Sequence, residues 1–327
     1  MKKLLIPVEH RRRDRSGTCL MFGLMVLFCS QVSPILAEKE DNQATNDDYA
    51  ARLYVGTHAG SEMKPLVSQE GFSTQGSPDW CDDGSRIAFD TWDSKGGETG
   101  SKAVIAVVDV DGENPRILGD GAMPSFSPGG HRIAFSRYTE RGVWVMSSEG
   151  PDELLVLIDE NGWGADWSPD GTRIAYTTTK DGPNIVVYSL IEGTYRRLFA
   201  ENDNPYRHFY WNFAWSGDSQ QIVFRGVRKT GGSEVAIVDA RGAKHGLKTI
   251  FTGESLPAMA WSPDSKTILL TIRNPKENNR WQLHAIDAAD PQEPKRLPGQ
   301  VLGGQFTDMA YSPNGKQIVV TTVLPKK

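Results

Sequence analysis

Residues that could do chemistry are scattered singly through this chain of 327 residues. After residue 37 the histidines are His58, His131, His208, His245 and His284, and none stands at metal-ligand spacing from another. No Gly-x-Ser-x-Gly motif is present to form a hydrolase nucleophile elbow. A metal site would need histidines from distant segments, and only His208 lies in a loop placed for one. We therefore expect no catalytic residue, no metal and no cofactor.

Acidic residues offer two further candidates. Asp109-x-Asp111-Gly112 begins like a calcium loop, but the later acidic ligands and the terminal glutamate are missing, so it indicates a hairpin turn. Asp79 and Asp166 each directly precede a tryptophan on a predicted inner strand. They could face a central channel and bind a cation or a polar ligand. The favoured alternative is that they accept hydrogen bonds from backbone donors at a strand end.

Aromatic residues beside polar ones form the most promising binding surface. The long connection from Asn202 to Asn212 is the richest in them, and further tryptophans lie in or beside other predicted loops. Loops of this kind commonly bind sugars or peptides. The predicted ligand- or partner-binding residues are Trp92, Trp163, Tyr206, His208 and Trp211. The alternative is that Trp211, with Phe209, belongs to an inner strand and packs inside the fold.

Six tight turns must position these residues, because six times an aromatic residue is followed seven positions later by isoleucine. The pairs are Trp80/Ile87, Phe126/Ile133, Trp167/Ile174, Trp215/Ile222, Trp261/Ile268 and Tyr311/Ile318. In the third copy, Ser168-Pro169-Asp170-Gly171 predicts a type I turn between two strands rich in β-branched and aromatic residues. The aromatic residues recur every 41 to 50 positions. Such a period predicts a β-propeller.

The segments between these hairpins complete the predicted blades. Second hairpins, such as residues 104–109 with 116–118, bring each blade to four strands. The chain ends soon after Ile318, so the sixth blade lacks an outer hairpin, whereas residues 52–55 and 65–67 form an outer hairpin without a partner. Joining the two halves predicts an all-β, six-bladed propeller over residues 50–327, closed by two strands from each end.

The repeats resemble the TolB-type, WD-like propeller family, whose repeat reads aromatic-Ser-Pro-Asp-Gly-x-basic-Ile-Ala-aromatic. The closest copies run from Trp167 to Tyr176 and from Trp261 to Leu270, and the resemblance covers about residues 50–323. Other copies depart from it, for example at Cys81-Asp82, Gly129 and Gly217. The family includes envelope interaction proteins and propellers attached to peptidases or lyases. TolB itself carries an α/β domain before the propeller, whereas here an acidic linker, residues 38–49, precedes the first strand.

The first 37 residues predict a secretory signal peptide. A basic segment with six Lys and Arg is followed by an apolar run from Cys19 to Phe28 and by the small residue Ala37. The alternative is an uncleaved membrane anchor over about residues 20–36. The pattern predicts export to the periplasm or beyond the cell, and membrane contact only if this segment remains uncleaved.

Charge and cysteine content limit the function further. Without residues 1–37 the chain has 30 Lys and Arg against 39 Asp and Glu, a net charge of −9, which argues against nucleic acid as a partner. Cys81 is then the sole cysteine, interpreted as a small core side chain and alternatively as a reactive thiol. We predict a monomeric, exported, non-catalytic module that binds an envelope protein or a glycan. The alternative is a carbohydrate-active lyase or hydrolase that uses the same loops.

Overall fold

Strands make up nearly all the regular structure of the protein. The computed structural model describes residues 49–67, 72, 74–92, 103–253, 258–274, 280–298 and 305–325. The predicted signal peptide, and the predicted linker up to residue 48, lie outside these ranges. Within them the single helical element is a three-residue 3-10 helix, Ala243–His245, and no helix is long and apolar enough to cross a membrane.

The six turn hairpins form as the repeat predicts. In each one the aromatic residue and the isoleucine seven positions later are direct cross-strand partners. In the third, Gly171 N–H donates to the carbonyl of Ser168 over 2.8 Å, and Gly171 has a left-handed φ of 73°. Ser219 and Ser265 hold the equivalent position with φ values of 60° and 62°. The turn geometry therefore persists where the repeat has lost its glycine.

Each blade is a four-stranded antiparallel sheet, with the innermost strand of the fourth blade divided in two. The first hairpin of the chain contains β1 (Tyr49–Thr57) and β2 (Lys64–Pro65). Blade 1 contains β3 (Gln75–Trp80), β4 (Arg86–Trp92), β5 (Ala103–Asp109) and β6 (Arg116–Asp120). Blade 2 contains β7 (Ala122–Phe126), β8 (Arg132–Arg137), β9 (Gly142–Ser147) and β10 (Gly150–Asp159). Blade 3 contains β11 (Gly162–Trp167), β12 (Arg173–Thr178), β13 (Asn184–Ser189) and β14 (Thr194–Arg197).

The second half of the ring follows the same order. Blade 4 contains β15 (Tyr206–Phe209), β16 (Ala214–Trp215), β17 (Gln221–Arg228), β18 (Ser233–Asp239) and β19 (Leu247–Thr252). Blade 5 contains β20 (Met259–Trp261), β21 (Thr267–Asn274), β22 (Arg280–Asp287) and β23 (Lys295–Arg296). Blade 6 contains β24 (Gln305–Tyr311) and β25 (Gln317–Pro325), joined by β1 and β2.

Closure of the ring occurs in blade 6, as predicted. Strand β1 pairs with β25 in an unbroken antiparallel register from Tyr49↔Pro325 to Thr57↔Gln317. Both chain ends thus contribute to one sheet, which removes the open edges that an unclosed array of blades would have.

The core lies between neighbouring blades. The isoleucine of every repeat is fully buried, and apolar clusters fill the spaces from one blade to the next. One such cluster places Leu53 and Val319 of blade 6 against Phe89 of blade 1. Cys81 is buried among the residues between blades 1 and 2, and this burial raises the pKa of its thiol. The structure therefore fits the interpretation of Cys81 as a core side chain.

Candidate functional site

The two faces of the ring carry different connections between strands. The tight turns of the six repeats lie on one face, which we call the turn face. The connections between blades and the middle loops of the blades lie at the other end of the strands, on the loop face. Trp92 at the end of β4, Tyr138 directly after β8 and Trp163 near the start of β11 all belong to the loop face.

Aromatic rings from four blades follow one another along this face. The ring centroids of Trp92 and Tyr138 are 5.5 Å apart, and those of Tyr138 and Trp163 are 4.6 Å apart, both edge to face. On blade 4 the centroids of Trp211 and Tyr210 are 6.3 Å apart, and those of Tyr210 and His208 are 4.8 Å apart. We call these six residues the aromatic row. It contains four of the five predicted binding residues.

Gly164 allows the two halves of the row to meet. It has a left-handed φ of 66°, and a Cβ atom at this position would lie only 2.5 Å from Cβ of Trp211. Any side chain here would push blade 4 away from blade 3. Tyr138 is 45% exposed, and Trp92 and Trp211 are half-buried, so the row offers ring surface to a ligand. Trp163 is only 5% exposed and supports its neighbours.

Arginines lie beside the rings. The guanidinium carbon of Arg141 is 5.9 Å from the ring centroid of Trp163, and that of Arg225 is 4.7 Å from the centroid of Tyr210. Burial, with the charges of Arg207 and Arg225, lowers the pKa of His208, so its imidazole is neutral at pH 7. The row therefore combines aromatic faces, a neutral imidazole and cationic side chains.

Tyr206, the fifth predicted residue, lies elsewhere. It is fully buried, and its ring contacts Phe199, Phe209 and Phe224 at centroid distances of 5.0 to 5.3 Å. Its hydroxyl donates a hydrogen bond to the carboxylate of Glu234, and burial is the main cause of its raised pKa. Tyr206 holds blade 4 together and has no surface to offer directly, so a role in binding stays a prediction.

The second candidate region is the central channel, where the innermost strands of all six blades enclose a cavity of about 420 Å³. The cavity reaches the turn face at the exposed residues Pro169 and Pro263. Asp79, Asp166 and Asp308 line it together with Trp211 of the aromatic row, and each of the three aspartates is half-buried. Both aspartates suggested by the sequence thus face the channel.

These carboxylates also bind the backbone, as the alternative interpretation expected. Asp79 Oδ2 accepts a hydrogen bond of 2.6 Å from the N–H of Phe126 in the next blade. Ser125 Oγ donates to Asp166 Oδ1 over 3.1 Å and accepts the N–H of Trp167 over 3.0 Å. These hydrogen bonds of the channel side chains therefore link one blade to the next.

Burial raises the pKa of all three channel aspartates. It raises the pKa of Asp79 to about 7, and burial with the nearby charge of Asp79 raises the pKa of Asp166 to about 8. The pKa of Asp308 is raised to about 7, again by burial, although the positive charge of Arg225 opposes the shift. Burial in turn lowers the pKa of Arg225 to about 10. Within the described ranges, no three His, Cys, Asp or Glu side chains are arranged to hold a metal ion.

The sequence did not reveal Tyr138, Arg141, Tyr210, Asp308 or Arg225 as members of these regions. Tyr138 and Arg141 could have been found, because the middle loop of blade 2 is short and follows a clear strand. Asp308 gave no signal, since it lies three residues before its aromatic residue, whereas Asp79 and Asp166 directly precede theirs. Asp308 faces the channel because it lies two residues before Ala310, which directly precedes the aromatic residue of this repeat, and side chains two apart on β24 share a face.

Comparison with known proteins agrees with this architecture. The model of the TolB beta propeller domain family matches residues 92–325. The chain belongs to this family. A comparison with curated proteins gives no match.

Solved structures show the same fold at low identity. TolB from Acinetobacter baumannii is 17% identical with a TM-score of 0.57; the match covers 84% of this chain but 64% of that one. A protein described as TolB from Agrobacterium tumefaciens is also 17% identical, with a TM-score of 0.65 and coverage of 85% and 99%. A chain of a nidogen–laminin complex is 14% identical, with a TM-score of 0.52 and coverage of 77% and 95%. At such identity these matches indicate the fold alone.

Proposed function

We propose that this TolB-family propeller is a non-catalytic binding module that holds its partner on the loop face. The observation that carries the proposal is the aromatic row, in which four blades contribute adjacent, partly accessible rings. Large rigid aromatic side chains dominate binding energy because they bury much area at little entropic cost. A closed propeller holds such rings at fixed positions, so the partner meets a surface that is already organised.

The proposed place of action is the cell envelope. The basic and apolar pattern of residues 1–37 is that of an export signal, and the family resemblance includes envelope interaction proteins. Expressed with its own leader, the protein should enter the exported soluble fraction and begin near Glu38. N-terminal sequencing that finds residues 1–37 intact would favour a membrane-anchored form instead.

Binding on the loop face is tested by matched tyrosine variants. Wild type, Tyr138→Ala and Tyr195→Ala are compared on a glycan array and on immobilised envelope extract. Tyr195 is 68% exposed on outer strand β14, far from the row, and serves as the control. Losing a hot-spot ring costs about 2 kcal/mol, so Tyr138→Ala should bind about thirtyfold more weakly while Tyr195→Ala binds normally. Equal binding by both variants would refute the assignment of the face.

The second candidate function is a carbohydrate-active enzyme; the sequence placed its site on the loops, whereas the one observation that favours it lies in the channel. Asp79, Asp166 and Asp308 line a cavity, and their raised pKa values suit general acid or base catalysis near neutral pH. Such an enzyme would release reducing ends or unsaturated sugars from a polysaccharide and would lose this activity in Asp166→Asn. Binding without any turnover would exclude it.

A further inference from the structure

Two exposed arginines lie beside the aromatic row. Arg141 lies beside Trp163, and Arg207 is an exposed residue of β15 that directly precedes His208. Neither arginine forms a salt bridge with any residue that the structure describes.

Two acidic residues close to Arg141 bond to other groups. Glu140, the residue before Arg141, binds Arg137 instead, with 2.8 Å between the guanidinium nitrogen and the carboxylate oxygen. Asp159 accepts a hydrogen bond of 2.9 Å from the hydroxyl of Tyr176. In a chain with a net charge of −5, the row thus carries two cations that remain available to a ligand.

A ligand that uses both features must carry carboxylates and flat, weakly polar faces. The C–H groups of a sugar ring are attracted to the negative face of an aromatic ring, and a guanidinium binds a carboxylate through two parallel hydrogen bonds. An acidic peptide is usually bound by a cluster of arginines, whereas Arg141 and Arg207 lie on blades 2 and 4 with aromatic rings between them. The arrangement therefore favours a chain of acidic sugars.

We infer that the aromatic row binds a polysaccharide containing uronic acids, with sugar rings on Trp92, Tyr138 and Trp211 and carboxylates on Arg141 and Arg207. This inference rests on the proposed function and names its ligand class. Because Arg141 and Arg207 come from blades 2 and 4, a ligand that reaches both must span blade 3, which a single sugar cannot do.

The test compares sugars that differ only in the carboxylate. Calorimetry is performed with hexamers of mannuronate and of galacturonate, and with their carboxyl-reduced forms, mannohexaose and galactohexaose. At least one uronate hexamer should bind at least tenfold more tightly than its reduced form, and its affinity should fall as salt is added. The double variant Arg141→Ala/Arg207→Ala should lose at least tenfold in affinity for that uronate and little for the reduced form.

Arg132→Ala provides the matched control, because Arg132 is exposed at the turn end of β8 in the same blade as Arg141. It should bind as wild type does. Unchanged melting temperatures for all variants establish that the fold is intact. Equal affinity for charged and reduced hexamers, or equal losses in the double variant and the control, would overturn the inference.

Other ligands distinguish this inference from the proposed function. A hexaglutamate peptide and a single-stranded DNA oligonucleotide are titrated alongside the sugars. Preferential binding of either, or no binding of any uronate, would overturn the polysaccharide assignment. The loop-face proposal would still stand if Tyr138→Ala abolished capture of another partner, and it would fail independently if that variant captured every partner normally.

Discussion

The aromatic row lies at the loop end of four blades, whereas the channel carboxylates lie on innermost strands, and the two regions use their polar groups differently. Near the turn face, side-chain oxygens of Asp79 and Ser125 accept hydrogen bonds from backbone N–H groups of the next blade. Near the loop face, the exposed Arg141 and Arg207 have no salt-bridge partner in the part of the chain that the structure describes. The loop end also has hydrogen bonds between blades, at the N–H groups of Met123 and Gly164, so what distinguishes it is the pair of exposed arginines.

The two halves of the ring differ in the residue that directly precedes the aromatic residue of each repeat. The residue before the aromatic is Asp79, Ser125 and Asp166 in blades 1 to 3, but Ala214, Ala260 and Ala310 in blades 4 to 6. The innermost strands of blades 1 to 3 also contain a bulge just before this position. Polar links between blades through this position are therefore confined to the first half, where the strands bend toward the channel.

The largest expected effect separates Tyr206 from the row. Tyr206→Ala should lower the free energy of unfolding by about 3–5 kcal/mol, because it opens a cavity in a fully buried aromatic cluster and leaves Glu234 without that donor. Tyr138→Ala should change stability by less than about 1 kcal/mol, since its ring is 45% exposed. Urea unfolding measures both. Equal stability of the two variants would show that Tyr206 is not a core residue and would support its predicted role in binding.

The next effect concerns the pH dependence of stability. Because the pKa of Asp79, Asp166 and Asp308 is raised to about 7 or 8, the folded state holds protons that the unfolded chain releases near pH 4. Their stabilising contribution is complete at low pH and is lost as the pH rises through 7 and 8. The free energy of unfolding should therefore fall by up to about 1.4 kcal/mol per pH unit for each carboxyl that titrates.

This slope is best measured between about pH 6.5 and 8, because at higher pH the carboxyls are ionised in both states and the slope vanishes. Below that range the lowered pKa of His208 and of His284 acts in the opposite direction, because their unfolded forms bind the extra protons. Asp166→Asn removes one titrating group while keeping its shape, so its stability should fall less steeply with pH than that of wild type. Parallel pH profiles for the two proteins would show that the carboxyl is ionised throughout.

A smaller effect tests the links between blades. Ser125→Ala leaves the N–H of Trp167 without this acceptor and removes one donor to Asp166, at a cost of about 1–3 kcal/mol. Ser85→Ala removes a hydroxyl hydrogen bond of 2.6 Å to Asp83 on the exposed surface and should cost less than about 0.5 kcal/mol. If both variants unfold at the same denaturant concentration, the channel hydroxyl does not join the blades.

The fold could be predicted because every blade repeats a local signal. An aromatic residue, a turn sequence and an isoleucine lie within eight positions of one another and determine one hairpin. Six copies of this hairpin predict six blades. Closure followed from the same count, since β1 needed a partner and β25 lacked one. Loops were harder, although Trp92, Trp163, His208 and Trp211 could be grouped because they flank predicted strands.

Tyr206 shows where this reasoning stops. Along an undisturbed strand, Tyr206 and Phe209 would face opposite sides of the sheet, because they are three residues apart. A bulge between Tyr206 and His208 shifts the register, and both rings join the same core cluster. Nothing in the sequence marks this bulge. Likewise, the closeness of Arg225 to Asp308 depends on the size of the channel, which only the assembled ring determines.

The central claim is that a ligand binds the loop face and not the channel. Hydrogen exchange measured with and without the captured partner tests it most directly, because it reports on both regions at once. We expect bound partner to slow exchange at residues 138–141, 161–164 and 206–210, and to leave residues 77–80 and 123–128 unchanged. Slower exchange confined to the second set would place the binding site in the channel and contradict this account.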